Sequence, residues 1–203
     1  MSLDLAVIAI TFGAIFIVEL PDKTFIAALV LSTRYKPLAV WIGVGLAFGV
    51  QTVVAVTAGA LVTLLDHRIV EAVAAVIFLA GAVVLFRSAP GADAEEKEQE
   101  EEYAARSTEE RSFVGAAVAS FLVLFAAEWG DLSQLLTISL VARFRDHVDV
   151  FLGAWSALLV VSGLAVIAGR VLLRCMRLSL LHYIGAAVCL LLAVVTVVQL
   201  VAG

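Results

Sequence analysis

The sequence predicts an all-α integral membrane protein: six transmembrane helices arranged as two inverted three-helix repeats, with the first helix of each repeat kinked or broken at an acidic motif. Three observations predict this. The 203-residue chain is 63% hydrophobic and only 15% charged, with a mean hydropathy of +1.10, whereas a soluble domain is roughly half apolar and about a quarter charged. The apolar residues fall into six long runs, and the two halves of the chain share a pattern of rarer residues. A chain this small cannot hide such an apolar excess inside a globule, which excludes an ordinary soluble enzyme. Continuous runs, not short alternating ones, argue against a transmembrane barrel.

The runs cover residues 3–31, 38–65, 69–86, 113–141, 148–173 and 178–201, each near or above the roughly 20 residues that cross hydrocarbon. The first is expected to be a span and not a cleaved signal, because Met1-Ser2-Leu3-Asp4 lacks a positive leader and the run is long. Residues 89–111 form an acidic linker: nine acids and three bases lie between Asp93 and Arg111. That stretch reads as a solvated tether between repeats at 1–88 and 112–203. Without it the chain is nearly neutral, so no basic face for nucleic acid exists. Cys175 and Cys189 lie in or beside apolar runs without metal-ligand spacing and give no disulfide framework.

With six spans, one side of the membrane collects nine Lys and Arg, among them Arg34, Lys36, Arg87, Arg170, Arg174 and Arg177; the other holds Arg68, Arg143 and Arg145. The positive-inside tendency then puts both termini outside and the acidic linker in the cytoplasm. The expected location is the inner (plasma) membrane, multi-pass.

A shift of 109 residues places Thr11-Phe12 on Ser120-Phe121, Phe16 on Phe125, Glu19 on Glu128, Asp22 on Asp131, Thr24 on Ser133 and Arg34-Tyr35 on Arg143-Phe144; a shift of 110 places Gly43 on Gly153. Three spans per half is an odd number, so the second half enters from the opposite side. Secondary transporters use such inverted repeats, with a site at the repeat interface near the midplane.

Glu19, Asp22, Glu128 and Asp131 lie inside the first span of each half. One charge at the centre of the hydrocarbon costs roughly 2.5–3.5 kcal/mol, and four facing lipid would cost about 10 kcal/mol or more. They therefore face the interior or a wet cavity, and a single intramembrane cation, Lys23, cannot neutralise all four. Each Glu/Asp pair is spaced i, i+3, which on a regular helix is one face; Gln134 extends that face. Crowded carboxylates in a low dielectric hold protons or a cation, and an all-oxygen set without His or Cys suits calcium, manganese or magnesium. Pro21 and Gly130 between the acids are expected to break the helix and free carbonyls as ligands. Thr24 and Ser133 join the site only if the helix is distorted. Lys23 either pairs with Glu19 or moves when metal enters. Gln51 is a supporting candidate; Thr52, Thr57, Ser156 and Ser162 are expected to bond between helices, and Trp41, Trp129 and Trp155 to be interfacial or packing residues.

Glu19-Leu-Pro-Asp-Lys-Thr24 and Glu128-Trp-Gly-Asp-Leu-Ser133 resemble the duplicated E-x-G-D-[KR]-[ST] signature of the UPF0016/GDT1 (TMEM165-like) family of Mn2+/Ca2+ transporters, and the likeness covers nearly the whole chain. The resemblance implies exchange of manganese and/or calcium for protons, removing the cation from the cytoplasm, with Glu19, Asp22, Glu128 and Asp131 as metal ligands and Thr24 and Ser133 at the hydroxyl position. Pro21 replaces the signature's glycine and Leu132 its basic residue. The partners implied are divalent metal ions, protons and the lipid bilayer. No tightly bound cofactor and no enzyme activity are expected, and a homo-oligomer is a further expected partner state.

Other readings stand beside this one: an exporter of an amino acid or other small polar solute on a similar plan, a passive channel, or an intramembrane aspartyl protease using Asp22 and Asp131. The protease leaves two costly glutamates without a purpose.

Overall fold

The computed structural model describes residues 3–20, 23–64, 67–92, 112–175 and 178–202, with positions 98, 99, 101, 102 and 104 of the acidic stretch. Regular structure among them is helical: α1 (Leu5–Glu19), α2 (Lys23–Arg34), α3 (Pro37–Val62), α4 (His67–Ser88), α5 (Phe113–Ala127), α6 (Leu132–Phe144), α7 (His147–Cys175) and α8 (Leu178–Ala202). Local sequence sets the starts. Asp4 accepts from the N–H groups of Ala6 (2.9 Å) and Val7 (3.3 Å) to begin α1, and Ser112 accepts from Gly115 N–H at 3.2 Å to begin α5; both satisfy donors that a helix N-terminus leaves open. Pro37 opens α3, where its missing N–H costs nothing.

Four segments are long and apolar enough to cross a membrane alone: Pro37–Val62, Arg68–Ser88, His147–Ile167 and His182–Val201. The other two expected spans are bent pairs. Leu5–Glu19 and Thr24–Arg34 meet at 70°, and Phe113–Ala127 and Leu132–Phe144 at 73°; each pair taken as one span makes six. The expected breaks at the acidic motifs are present.

Helix directions follow from the contacts. Asp4 N–H donates to Asp149 Oδ2 (2.6 Å), and Ile8 abuts Gly153, so α1 and α7 run parallel. Ala117 abuts Gly43, and the Phe125 carbonyl accepts from Gln51, so α5 and α3 run parallel. Trp41 Nε1 donates to the Leu159 carbonyl and Trp155 Nε1 to the Gly45 carbonyl, both at 3.0 Å; rising numbers on α3 meet falling numbers on α7, which are therefore antiparallel. It follows that α1 and α5 are antiparallel and the two halves inverted. α4 and α8 pack on each other, also antiparallel, with Gly81 against Cys189 and Leu85 against Gly185.

The core runs through the middle of this arrangement, with Ile15, Leu31, Val40, Phe78, Leu124 and Leu136 essentially inaccessible. The outer surface exposes Leu46, Val76, Ile167 and Leu191, the apolar face that lipid covers. Three expectations need correction. Thr52, Thr57, Ser156 and Ser162 do not bond between helices; they donate to Phe48, Val53, Gly153 and Leu158 of their own helices, because a carbonyl three or four residues back is the nearest acceptor. Trp41, Trp155, Gln51 and Arg143 make interhelical bonds instead. The linker does not start as a solvated tether, since Ala89 and Ala92 are buried; most of its remaining residues lie outside the described ones. Arg143 is more than a loop charge: it is half-buried in the last turn of α6 and donates to Thr196 Oγ1 on α8 at 2.7 Å, with the Glu71 carboxylate of α4 acting on it.

Candidate functional site

Two stripes at four-residue spacing lead to the site. In α1 the buried residues Val7, Thr11, Ile15 and Glu19 succeed one another; in α5 and its cap Ala116, Ser120, Leu124 and Glu128 do the same. Equivalent aromatic pairs flank them, with Phe12 stacked on Phe16 at 5.7 Å and Phe121 on Phe125 at 5.5 Å. Glu19 is the last residue of α1 and Glu128 the residue after α5, with relative exposures of 0% and 1%. A carboxylate so far from water must be protonated, hydrogen-bonded or bound to a cation. α1 also contacts α6 and α2 contacts α5, so each glutamate-bearing helix lies beside the helix that leaves the other break.

The second break is described in full. Gly130 has φ +81, a conformation that costs a residue with a Cβ roughly 1–2 kcal/mol. It stops α5 and redirects the chain into α6. Asp131 then caps α6: its Oδ1 accepts from Gln134 N–H at 3.0 Å and its Oδ2 from the Ser133 hydroxyl at 2.9 Å. The Gln134 side chain closes the gap, donating to the Glu128 carbonyl at 2.9 Å while its Oε1 accepts from Gly130 N–H at 3.1 Å. From α3, buried Gln51 donates to the Phe125 carbonyl at 3.1 Å, a group of the last turn of α5 that loses its helical partner at the break.

These contacts change several sequence expectations. Glu128 and Asp131 do not share one face of a regular helix; they flank the break, because Gly130 turns the chain between them. Gln134 does not extend an acidic face and instead fastens the two ends of the break. The Phe125 and Glu128 carbonyls are not free ligands, being held by glutamine amides. The Ser133 hydroxyl bonds to the Asp131 carboxylate. Trp129 is 60% exposed, with its ring 5.0 Å from that of Phe125.

In the first repeat, Pro21 and Asp22 lie outside the described residues, as does the Lys23 side chain. Thr24 is fully buried, and its Oγ1 has no hydrogen-bond partner among the described residues. Positions 25 and 161, which the repeat shifts place opposite Gln134 and Gln51, are Phe25 and Val161, both buried and apolar. Those two positions of the first repeat therefore offer no amide equivalent to Gln134 and Gln51. Among the described residues, no three His, Cys, Asp or Glu side chains converge into a group able to hold a metal ion; the fourth acid, Asp22, falls outside that set.

Sequence reasoning aligned Thr11 with Ser120 but gave them no role. Both are fully buried, and neither Oγ has a hydrogen-bond partner among the described residues, a condition that costs about 1–3 kcal/mol per group. The available signal was their position, eight residues before each glutamate.

The family described as "Divalent cation/proton antiporter GDT1" matches residues 7–93 and 116–203. A GDT1-like protein of Synechocystis sp. is 33% identical over 197 residues, covering 89% of this chain and 95% of that protein. The chloroplastic protein PAM71 of Arabidopsis thaliana is 31% identical over 211 residues, covering 95% of this chain and 57% of that protein. The chloroplastic GDT1-like protein 1 of Oryza sativa subsp. indica is 28% identical over 212 residues. The chain spans 57% and 62% of these two chloroplastic relatives. No solved structure matches it.

Proposed function

This chain belongs to the GDT1 family of divalent cation/proton antiporters, and from that premise we propose that it exchanges manganese and/or calcium for protons and exports the cation from the cytoplasm by alternating access. The chain is a multi-pass cation transporter. The observation that carries the finer reading is the pair of fully buried glutamates, Glu19 and Glu128, at equivalent breaks of two oppositely directed helices that contact each other's continuations.

The cargo is a hard dication held by carboxylate oxygens of Glu19, Asp22, Glu128 and Asp131. Ser133 orients Asp131, while Gln134 and Gln51 fix the backbone that carries Glu128 and Asp131. Thr24 is the corresponding hydroxyl of the first repeat, and Lys23 supplies a charge near Glu19. The same oxygens bind protons or the dication, so each species displaces the other. When the site faces the cytoplasm, the cation replaces protons; when it faces outward, protons replace the cation. The balance of Lys and Arg supports a plasma-membrane orientation with both termini outside.

The test is flux in proteoliposomes. An imposed proton gradient should drive manganese or calcium against its own gradient, and Glu19→Gln and Glu128→Gln should each reduce metal-dependent proton movement to the level of empty liposomes. Exchange at the unmodified rate by both variants would refute the reading. Metal flux that ignores the proton gradient would mark a channel.

A further inference from the structure

Thr11 and Ser120 hold equivalent places in the two repeats, each eight residues before its glutamate. On a helix that is about 12 Å along the axis and on the same side. Both are completely inaccessible, and neither Oγ has a hydrogen-bond partner among the described residues. A helix offers a buried hydroxyl an easy acceptor, the carbonyl one turn back. Thr52, Thr137, Ser162 and Thr196 all take it here, at 2.7, 2.8, 2.8 and 2.8 Å. Thr11 and Ser120 do not. The same omission at two symmetry-related positions points to a partner that comes from outside the protein.

Their surroundings agree. A Cβ at Gly153 would stand 2.7 Å from the Ile8 carbonyl oxygen and 2.8 Å from Thr11 Cβ, and one at Gly43 would run into the Ala117 carbonyl. Ile8 and Ala117 are themselves 109 residues apart. Thr11 therefore lies at the seam where α1 touches α7 through Gly153, and Ser120 follows, three residues on, the Ala117 that makes the corresponding contact of α5 with Gly43 of α3. Because α1 and α5 run in opposite directions, Thr11 lies between Glu19 and one membrane face, and Ser120 lies between Glu128 and the other. One further turn, carrying buried Ile15 or Leu124, separates each hydroxyl from its glutamate.

We propose that Thr11 and Ser120 are transit ligands for a partly hydrated divalent cation, one on each side of the carboxylate site, uncovered in alternation as the Gly153 and Gly43 seams open. A hydroxyl is a neutral oxygen donor. It replaces one water of a hard cation without holding it as a carboxylate does, which suits a step along a path and not a resting place. The inference rests on the antiport reading above.

Thr11→Val removes the oxygen and nearly keeps the shape, and Ser120→Ala removes the oxygen without adding bulk at a fully buried position. In oriented proteoliposomes, Thr11→Val should slow manganese entry from the face where α1 begins, and Ser120→Ala from the opposite face, each about tenfold, the effect of roughly one lost ligand contact. Equilibrium manganese affinity, titrated calorimetrically in detergent, should stay within about twofold, because the carboxylates are intact. Thr11→Ser and Ser120→Thr should restore the rates. In a background with Cys175 and Cys189 replaced by alanine, Thr11→Cys and Ser120→Cys should react with a membrane-impermeant thiol reagent from opposite faces. Thr11→Val and Ser120→Ala variants that match a working parent protein, or cysteines that react from one common face, overturn this inference and leave antiport standing. A parent protein that moves no divalent cation overturns the antiport reading itself.

Discussion

Gln134 shows how much one side chain settles here. Its amide satisfies a carbonyl and an N–H that the break would otherwise strand, while its own N–H anchors the Asp131 carboxylate. Gln134→Leu should therefore cost about 1–2 kcal/mol, the loss of two modest hydrogen bonds at a partly exposed position. A thermal scan followed by tryptophan emission should show it as a lower midpoint, with weaker manganese binding in the same sample. The sequence exposed the acids themselves, because a charge inside an apolar run has few innocent explanations. It gave Gln134 the wrong task. Spacing on a regular helix was the only geometry at hand, and spacing says nothing about a side chain that turns back to its own backbone. A signal did exist: Asp131-Leu-Ser-Gln134 has the form of a reciprocal cap, a short polar residue followed three positions later by an amide. That form announces a helix beginning, not a helix continuing. The buried hydroxyls were harder to see, since Thr and Ser in apolar helices are common and most of those here bond within their own turn.

At the scale of the element, the broken helix is a consequence of one dihedral angle. Gly130 adopts φ +81, and an added Cβ would meet nothing within 4 Å, so the cost of Gly130→Ala is backbone strain alone. We expect it to destabilise the protein by about 1–2 kcal/mol and to slow exchange more than Val114→Ala, a control at an exposed position of α5; parallel denaturation and flux assays would check this. Six apolar runs, their ends and the two interruptions were legible because lipid-facing length and helix-breaking residues leave direct marks on sequence. The 73° angle was not legible, since α3 packs on both pieces of the bent pair and that packing leaves no mark on the sequence. The alignment does show that Phe25 and Val161, without amides, stand opposite the glutamines.

For the molecule as a whole, inversion was legible by counting spans, and the contacts reach the same result through parallel and antiparallel pairs. What counting could not supply was the partner of each span. The first helix of one repeat packs on the second helix of the other, α1 on α7 and α5 on α3, so each repeat finishes the core of its opposite. Two fragments, residues 1–88 and 112–203, should therefore exchange cations when made together in one membrane and lose that activity when made singly. Flux from co-expressed and separately expressed halves would decide it.

The crossing of α3 and α7 extends the point. Position 45 of one repeat corresponds to position 155 of the other, and these two residues bond to each other, indole to carbonyl, where the halves meet. A contact between corresponding positions can be made by two copies of a single unit. An ancestor of half the length, inserting into the bilayer in both directions, could have assembled this crossing before the gene doubled; the present chain then differs from that pair chiefly by a tether and by whatever each half has since been free to change.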